Sequence, residues 1–136
     1  MNEWNERNQH VIEEFRANHG HVRGGAALIL LTTTGAKTGQ PRIAPLMYVP
    51  DGDRILAVAS KGGDPKHPDW FLNILAHPEV TVEVGNEKFT TTANILSGAE
   101  REKAYRRAAE VFPPYAEYQK KTSREIPVIA LERPAK

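Results

Sequence analysis

Two loops of this chain carry the ingredients for holding an anion. The stretch TTTGAKTGQPR, residues 32–42, places Lys37 and Thr38 between Gly35 and Gly39, with Arg42 three residues further on. Glycines let backbone N–H groups turn toward a ligand, and the lysine, threonine and arginine add charged and neutral donors. Such a loop suits a phosphate or a carboxylate tail. A solvated hairpin tip explains the same residues, and on loop chemistry alone it holds a slight edge. The order Gly-Ala-Lys-Thr-Gly is not a Walker A loop, which ends in Gly-Lys-Ser/Thr and leads from a strand into a helix. Ser60-Lys61-Gly62-Gly63 repeats the theme at another strand end. Two such loops on neighbouring strands can converge on one anionic ligand, which shifts the balance toward binding.

Two residue pairs have helical spacing. Trp70 and Asn73 stand at i, i+3, so an indole and an amide share one helix side. They can wall a planar ring and bond its edge, although a core tryptophan beside a capping asparagine is the commoner meaning. Tyr115 and Tyr118 repeat the spacing after Pro113-Pro114. Their phenols can donate to a substrate oxygen, and packing is again the plainer use. The histidines (His10, His19, His21, His67 and His77) lack partners at ligand spacing, read as surface residues and predict no metal site. With no cysteine, thiol catalysis and iron–sulfur ligation are excluded. No Gly-x-Ser-x-Gly elbow and no GxGxxG fingerprint is present. Hard chemistry must therefore come from a bound cofactor.

The elements that position these residues follow from pattern. Residues 1–20 form an N-terminal segment whose 3–18 stretch reads as an amphipathic helix, with Trp4, Val11, Ile12 and Phe15 on one face. That face is expected to dock on the body of the fold; covering a ligand site and touching a membrane are the alternatives. GGAALILLTTT reads as a strand buried on both faces. IAPLMYV follows, with Pro45 demanding an edge or a bulge. Pro50-Asp51-Gly52-Asp53 turns into ILAVAS, so residues 43–60 predict a hairpin. Pro68 opens a short helix on which Trp70, Phe71, Ile74 and Leu75 share a side, and Pro78 ends it. Val80, Val82 and Val84 alternate into a second hairpin whose return strand is KFTTTANIL. Ser97-Gly98-Ala99-Glu100 predicts a capping box on a helix reaching about Phe112. YAEYQKK adds a helical turn or two, and IPVIALE is a last strand.

About six strands in hairpins exclude a doubly wound parallel sheet. A small, mainly antiparallel α+β barrel with peripheral helices is expected. The 136 residues suit one domain, 1–136, and are 40% hydrophobic and 26% charged with a formal net charge of +1. That balance argues against a nucleic-acid binder. No signal peptide or membrane-spanning stretch is expected, and a soluble cytoplasmic protein fits.

LLTTTGAKTGQPRIAPLMYV, ILAVASKGGDPKHPDWFLNILAHPEVTVEVG and PPYAEYQKKTSREIPVIAL together resemble the deazaflavin-dependent nitroreductase family. Its members are coenzyme F420-using reductases, found chiefly in actinobacteria, within the split β-barrel flavin-binding superfamily. The likeness runs from about residue 10 to 132. The ordered set G-x-K-T-G-x-x-R, S-K-G-G, P-x-W-x-x-N and P-x-Y-x-x-Y is specific in combination. By this resemblance, Lys37, Thr38, Gly39 and Arg42 hold the phosphate and the start of the oligoglutamate tail. Ser60, Lys61, Gly62 and Gly63 line the path to the ring, with Ser60 nearest it. Trp70 and Asn73 pack beside the cofactor, and Pro45 with its strand neighbours backs the deazaflavin. Tyr115 and Tyr118 match tyrosines flanking the substrate pocket. After Tyr118, QKKTSRE replaces a more aromatic stretch, which bears on the acceptor more than on the cofactor.

The implied activity is hydride transfer from reduced F420 to a quinone-like, enone or nitroaromatic acceptor, by a monomer or a homodimer. Tyr115, Tyr118 and Ser60 are its catalytic candidates. FMN in the same barrel and a non-catalytic F420 carrier are the alternatives. Peripheral contact with the inner face of the plasma membrane, where quinones reside, is a further role open to the first helix.

Overall fold

The computed structural model describes residues 3–18 and 28–134. Two four-stranded antiparallel sheets face each other. The first has the order β2 (Pro41–Met47), β1 (Leu28–Thr34), β5 (Glu79–Val84), β6 (Glu87–Thr92). The second runs β3 (Val49–Asp51), β4 (Arg54–Val58), β8 (Val128–Glu132), β7 (Asn94–Ile95). Helix α1 (Glu3–Ala17) covers the outside of the first sheet. Helices α3 (Gly98–Val111) and α4 (Pro114–Lys121) cover the outside of the second. Helix α2 (Asp69–Ala76) contributes Phe71 and Ile74 to the core between the sheets.

Side-chain alternation explains the layering. In β4, Ile55 and Ala57 point into the inter-sheet core while Leu56 and Val58 face α3 and α4. In β8, Ile129 and Leu131 go inward while Val128 and Ala130 go outward. Both strands are buried on both faces, which is why they read as unbroken apolar runs. In β1, Ile29 and Leu31 join the core, and Leu30 meets Ile12 and Phe15 of α1. Those two residues are buried there, so the described part of the predicted apolar face docks on the barrel. The side chain of Trp4 lies outside the described residues, as do His19, His21 and Gly24 to Ala27 of the predicted β1 run. Val80, Val82 and Val84 all face inward, and their one-faced alternation reflects a solvated outer side.

The expected barrel is present, with corrections. Eight strands replace about six because two predicted strands each divide and change sheets. IAPLMYV does not form one side of a hairpin with ILAVAS. It splits at Tyr48, leaving β2 in the first sheet and sending β3 to pair with β4 in the second. KFTTTANIL likewise splits at Ala93 into β6 and β7. Pro45 sits on an edge strand as its missing donor requires. Leu75 is 56% exposed rather than sharing the buried side of α2. Ser97 makes no side-chain cap bond, because Gly98, at φ +57°, turns the chain where a capping box needs a helical residue. Pro114 opens α4 as its fixed φ allows.

Ile129 lies fully buried between the sheets. Ile129→Ala should lower the free energy of unfolding by about 3 kcal/mol in a denaturant titration, as large-to-small changes in tight cores do. A loss below about 1 kcal/mol would contradict the two-sheet core.

Candidate active site

A cavity of about 960 Å³ opens beside β2, and its wall draws on most of the residues singled out in the sequence. Lys37, Thr38, Arg42, Pro45, Ser60, Lys61, Trp70, Asn73, Tyr115 and Tyr118 all line it. Gly39 and Gly63 are not among the described lining residues, and the lining expected of Gly62 lies outside what the structure describes. Gly63 instead allows a close approach: at φ +85°, a Cβ there would lie 2.9 Å from the carbonyl oxygen of Tyr118. The turn carrying Lys61 therefore packs directly on the helix carrying the tyrosines.

The first loop is held by its own atoms. The Gly35 N–H donates to the Gln40 carbonyl at 2.8 Å and the Gly39 N–H to the Gly35 carbonyl at 2.9 Å. The Ala36 N–H donates to Asn73 Oδ1 at 2.9 Å, and Asn73 Nδ2 donates to Thr33 Oγ1 at 3.1 Å. Asn73 is thus a staple between α2, β1 and the loop, a different use from bonding a ring edge. The amides of Gly35, Ala36 and Gly39 are thus engaged inside the protein, while the side chains of Lys37, Thr38 and Arg42 line the cavity. Lys37, Arg42 and Lys61 are exposed, line the cavity and form no ion pair among the described residues. Asp69 is the one carboxylate among the described lining residues.

The second loop is a 3-10 turn, Lys61–Gly63, following Ser60. Ser60 is buried to 8% exposure, and its hydroxyl makes no cap bond. Lys61 has φ +46°, a left-handed conformation that is unfavourable for a lysine. Arg124 faces the turn from the segment before β8. Its Nη1 lies 3.2 Å from His67 Nδ1, and His67 packs on Phe71 with ring centroids 4.8 Å apart. His67 is therefore half-buried and partnered, correcting the surface reading; His10 and His77 are exposed. Burial, then the neighbouring guanidinium charge, hold the His67 imidazole below its ordinary pKa.

The aromatic wall comes from α4 and the end of α3. Phe112 and Tyr115 meet edge to face at 5.0 Å, and Tyr115 and Tyr118 do so at 6.1 Å. The Tyr105 hydroxyl donates to the Tyr115 carbonyl and fixes the start of α4. Burial, reinforced by Tyr105 and Tyr118, pushes the Tyr115 phenol up to about 12. It is therefore a neutral hydrogen-bond donor at ordinary pH. Ile43, Ala44, Leu46 and Met47 of β2 add an apolar floor beside Pro45.

Sequence reasoning missed Phe112 and the exposed Leu72 as wall residues, and it missed Arg124 entirely. Phe112 lies three residues before Tyr115, and that aromatic spacing was the available signal. Among the described residues no group of His, Asp and Glu is placed to hold a metal, and no helix is long and apolar enough to cross a membrane.

A two-sheet barrel with a cationic and aromatic cleft defines a class of protein that binds an anionic, ring-bearing cofactor. Comparison with known proteins makes this specific. The family model of the F420H(2)-dependent quinone reductases matches residues 4–133, and the chain belongs to that family. The F420H(2)-dependent quinone reductase Rv1261c of Mycobacterium tuberculosis is 43% identical over 120 residues, covering 84% of this chain and 79% of the relative. The solved F420-H2 dependent reductase FDR-A is 50% identical, with TM-score 0.72, over 78% of this chain and 94% of that one. A domain-swapped dimer is 45% identical, with TM-score 0.75, over 95% of this chain and 97% of that one.

The His67 environment generates a pH prediction. An unfolded histidine titrates near 6.5, and the folded value lies lower. The unfolded state then binds the proton first, so stability present above about pH 6.5 falls as pH drops through the folded midpoint. NMR titration of the imidazole should give a midpoint below 6.5, and His67→Gln should flatten the acid loss in denaturant titrations. A midpoint at or above 6.5 would contradict the buried contact with Arg124.

Proposed function

We propose that this protein is an F420H2-dependent reductase acting on a quinone-type acceptor. The observation that carries the reading is the lining of one cavity. Among the described residues Lys37, Arg42 and Lys61 form no ion pair there, beside the apolar residues of β2 and the aromatic wall of α3 and α4. Coenzyme F420 joins a flat apolar ring to a phosphate and several carboxylates, so both parts of the lining have a counterpart. Its volume also suits the task, since ligand pockets run to about 1,000 Å³. The names of the relatives, quinone reductases among them, support the same reading.

The deazaflavin supplies hydride chemistry, because carbon replaces the N5 of a flavin and disfavours one-electron steps. The residues of the chain do the rest. Lys37, Thr38 and Arg42 hold the phosphate and tail, and Lys61 with Ser60 continues that contact. Pro45 and its neighbours give the ring an apolar floor, with Trp70 as a side wall. Gly39 and Gly63 act by shaping their loops and Asn73 by fixing the first loop, so each supports binding from behind the lining. Tyr115 and Tyr118 face the acceptor. A neutral phenol at Tyr115 donates a hydrogen bond to the oxygen on which negative charge develops. Enones and nitroaromatics develop charge on oxygen in the same way and are secondary acceptors. Likeness to a domain-swapped dimer supports a homodimer.

Purified protein should oxidise reduced F420 in the presence of a menaquinone analogue, followed by the absorbance of the cofactor. Tyr115→Phe should lower kcat by about a hundredfold, the scale of losing one oxyanion donor, while F420 affinity stays within about twofold. Absence of turnover with any quinone, enone or nitro acceptor would overturn the enzyme reading, and an unchanged kcat would remove Tyr115 from the chemistry.

A further inference from the structure

We propose that Arg124 is a positioning residue for the anion site: by clamping the carbonyls around Lys61 it holds that lysine in its left-handed conformation, with its side chain at the cavity. The inference rests on the F420 reading above for its ligand, and on the backbone alone for its geometry.

Arg124 does not line the cavity itself. Its Nε donates to the Asp64 carbonyl at 2.8 Å, Nη2 to the Ser60 carbonyl at 2.8 Å and Nη1 to the Ala59 carbonyl at 3.1 Å. A further Nη1 contact reaches His67 Nδ1. One side chain thus grips the backbone on both sides of Lys61. Among the described residues, the turn between adds two bonds, from Gly63 N–H to Ser60 O and from Asp64 N–H to Lys61 O. A non-glycine residue at φ +46° persists only where its surroundings impose it. Arg124 is the group that can impose it, since a planar guanidinium fork fits several acceptors at once and an ammonium does not.

Arg124 is itself anchored. Gln119 Nε2 donates to the Arg124 carbonyl at 2.8 Å, and Gln119 Oε1 accepts from Arg101 Nη2 at 2.7 Å and from the Ile126 N–H at 2.9 Å. The buried Arg101 also bonds the Ile126 carbonyl through Nη2, at 2.6 Å. These bonds tie the Lys61 turn to α3 and α4, the elements that carry the tyrosine wall.

Arg124→Lys keeps the charge and removes the fork, which separates positioning from field. F420 affinity, read by fluorescence titration, should fall at least fivefold. In a Lys61→Ala background the same change should cost less than twofold, and in a Lys37→Ala background the full loss should remain, since coupling is confined to residues acting through one another. Without cofactor, hydrogen exchange at the Gly63 and Asp64 amides should accelerate at least tenfold while that of Val82 holds. An affinity within twofold of wild type, a loss undiminished by Lys61→Ala, or unchanged exchange would each overturn the proposal. Should Arg124→Lys fail to fold, adding Lys61→Gly, which needs no such restraint, should restore folding; a double variant that stays unfolded overturns the proposal. A wild-type chain that binds no F420 would sink the cofactor reading, and the exchange and folding results would still decide the role of Arg124.

Discussion

The cleft exists because two strands leave one sheet and enter the other, at Tyr48 and at Ala93. Between its crossing and the first loop, β2 runs along the edge of its sheet with no partner strand on its outer flank among the described residues. An open edge is ordinarily a hazard, because its unpaired groups invite another strand. Pro41 and Pro45 remove two of its donors, and the cavity lies along residues 42–47 of this strand. The exposed flank is thereby available as an apolar floor. Helices α2 and α4 and the two loops then complete the wall around it.

Charge is the second organising feature. Cations near an anion site lose binding power if the protein neutralises them internally, and exposed pairs add little to stability. Here the ion pairs lie elsewhere, as in Arg16 with Glu83 and Arg133 with Glu87, and leave Lys37, Arg42 and Lys61 to face the cavity. The buried guanidinium of Arg101 and the half-buried one of Arg124 have another task. They satisfy backbone carbonyls in segments that lack regular ladders, where unpaired acceptors are costly. One set of basic residues lines the cavity and another builds the loops beside it.

Much of this was legible in the residues, for physical reasons that can be named. Val80, Val82 and Val84 announced a one-faced strand, and the apolar runs of β1, β4 and β8 announced strands covered on both sides. The motif residues converged because both loops and both helical pairs, Trp70 with Asn73 and Tyr115 with Tyr118, belong to elements around β2. The sheet crossings were not legible, since a strand that changes partners keeps ordinary strand chemistry throughout. Arg124 was invisible for another reason. Its partners Ala59, Ser60 and Asp64 lie 60 to 65 residues away and are engaged through backbone atoms that carry no sequence signal. Gly63 and Asn73 were recognised as important, yet what they do, admitting α4 and stapling the first loop, needed coordinates.

The central claim is that this cleft is shaped for a deazaflavin with a polyanionic tail, and equilibrium titration of the wild-type chain with F420 and with FMN addresses it directly. Both offer a flat ring and a phosphate, and only F420 brings the additional carboxylates. F420 should bind at least tenfold more tightly at low salt, and the gap should narrow as added salt shortens the screening length from about 10 Å at 0.1 M toward about 3 Å at 1 M. FMN binding as tightly as F420, with no effect of salt on the difference, would contradict it.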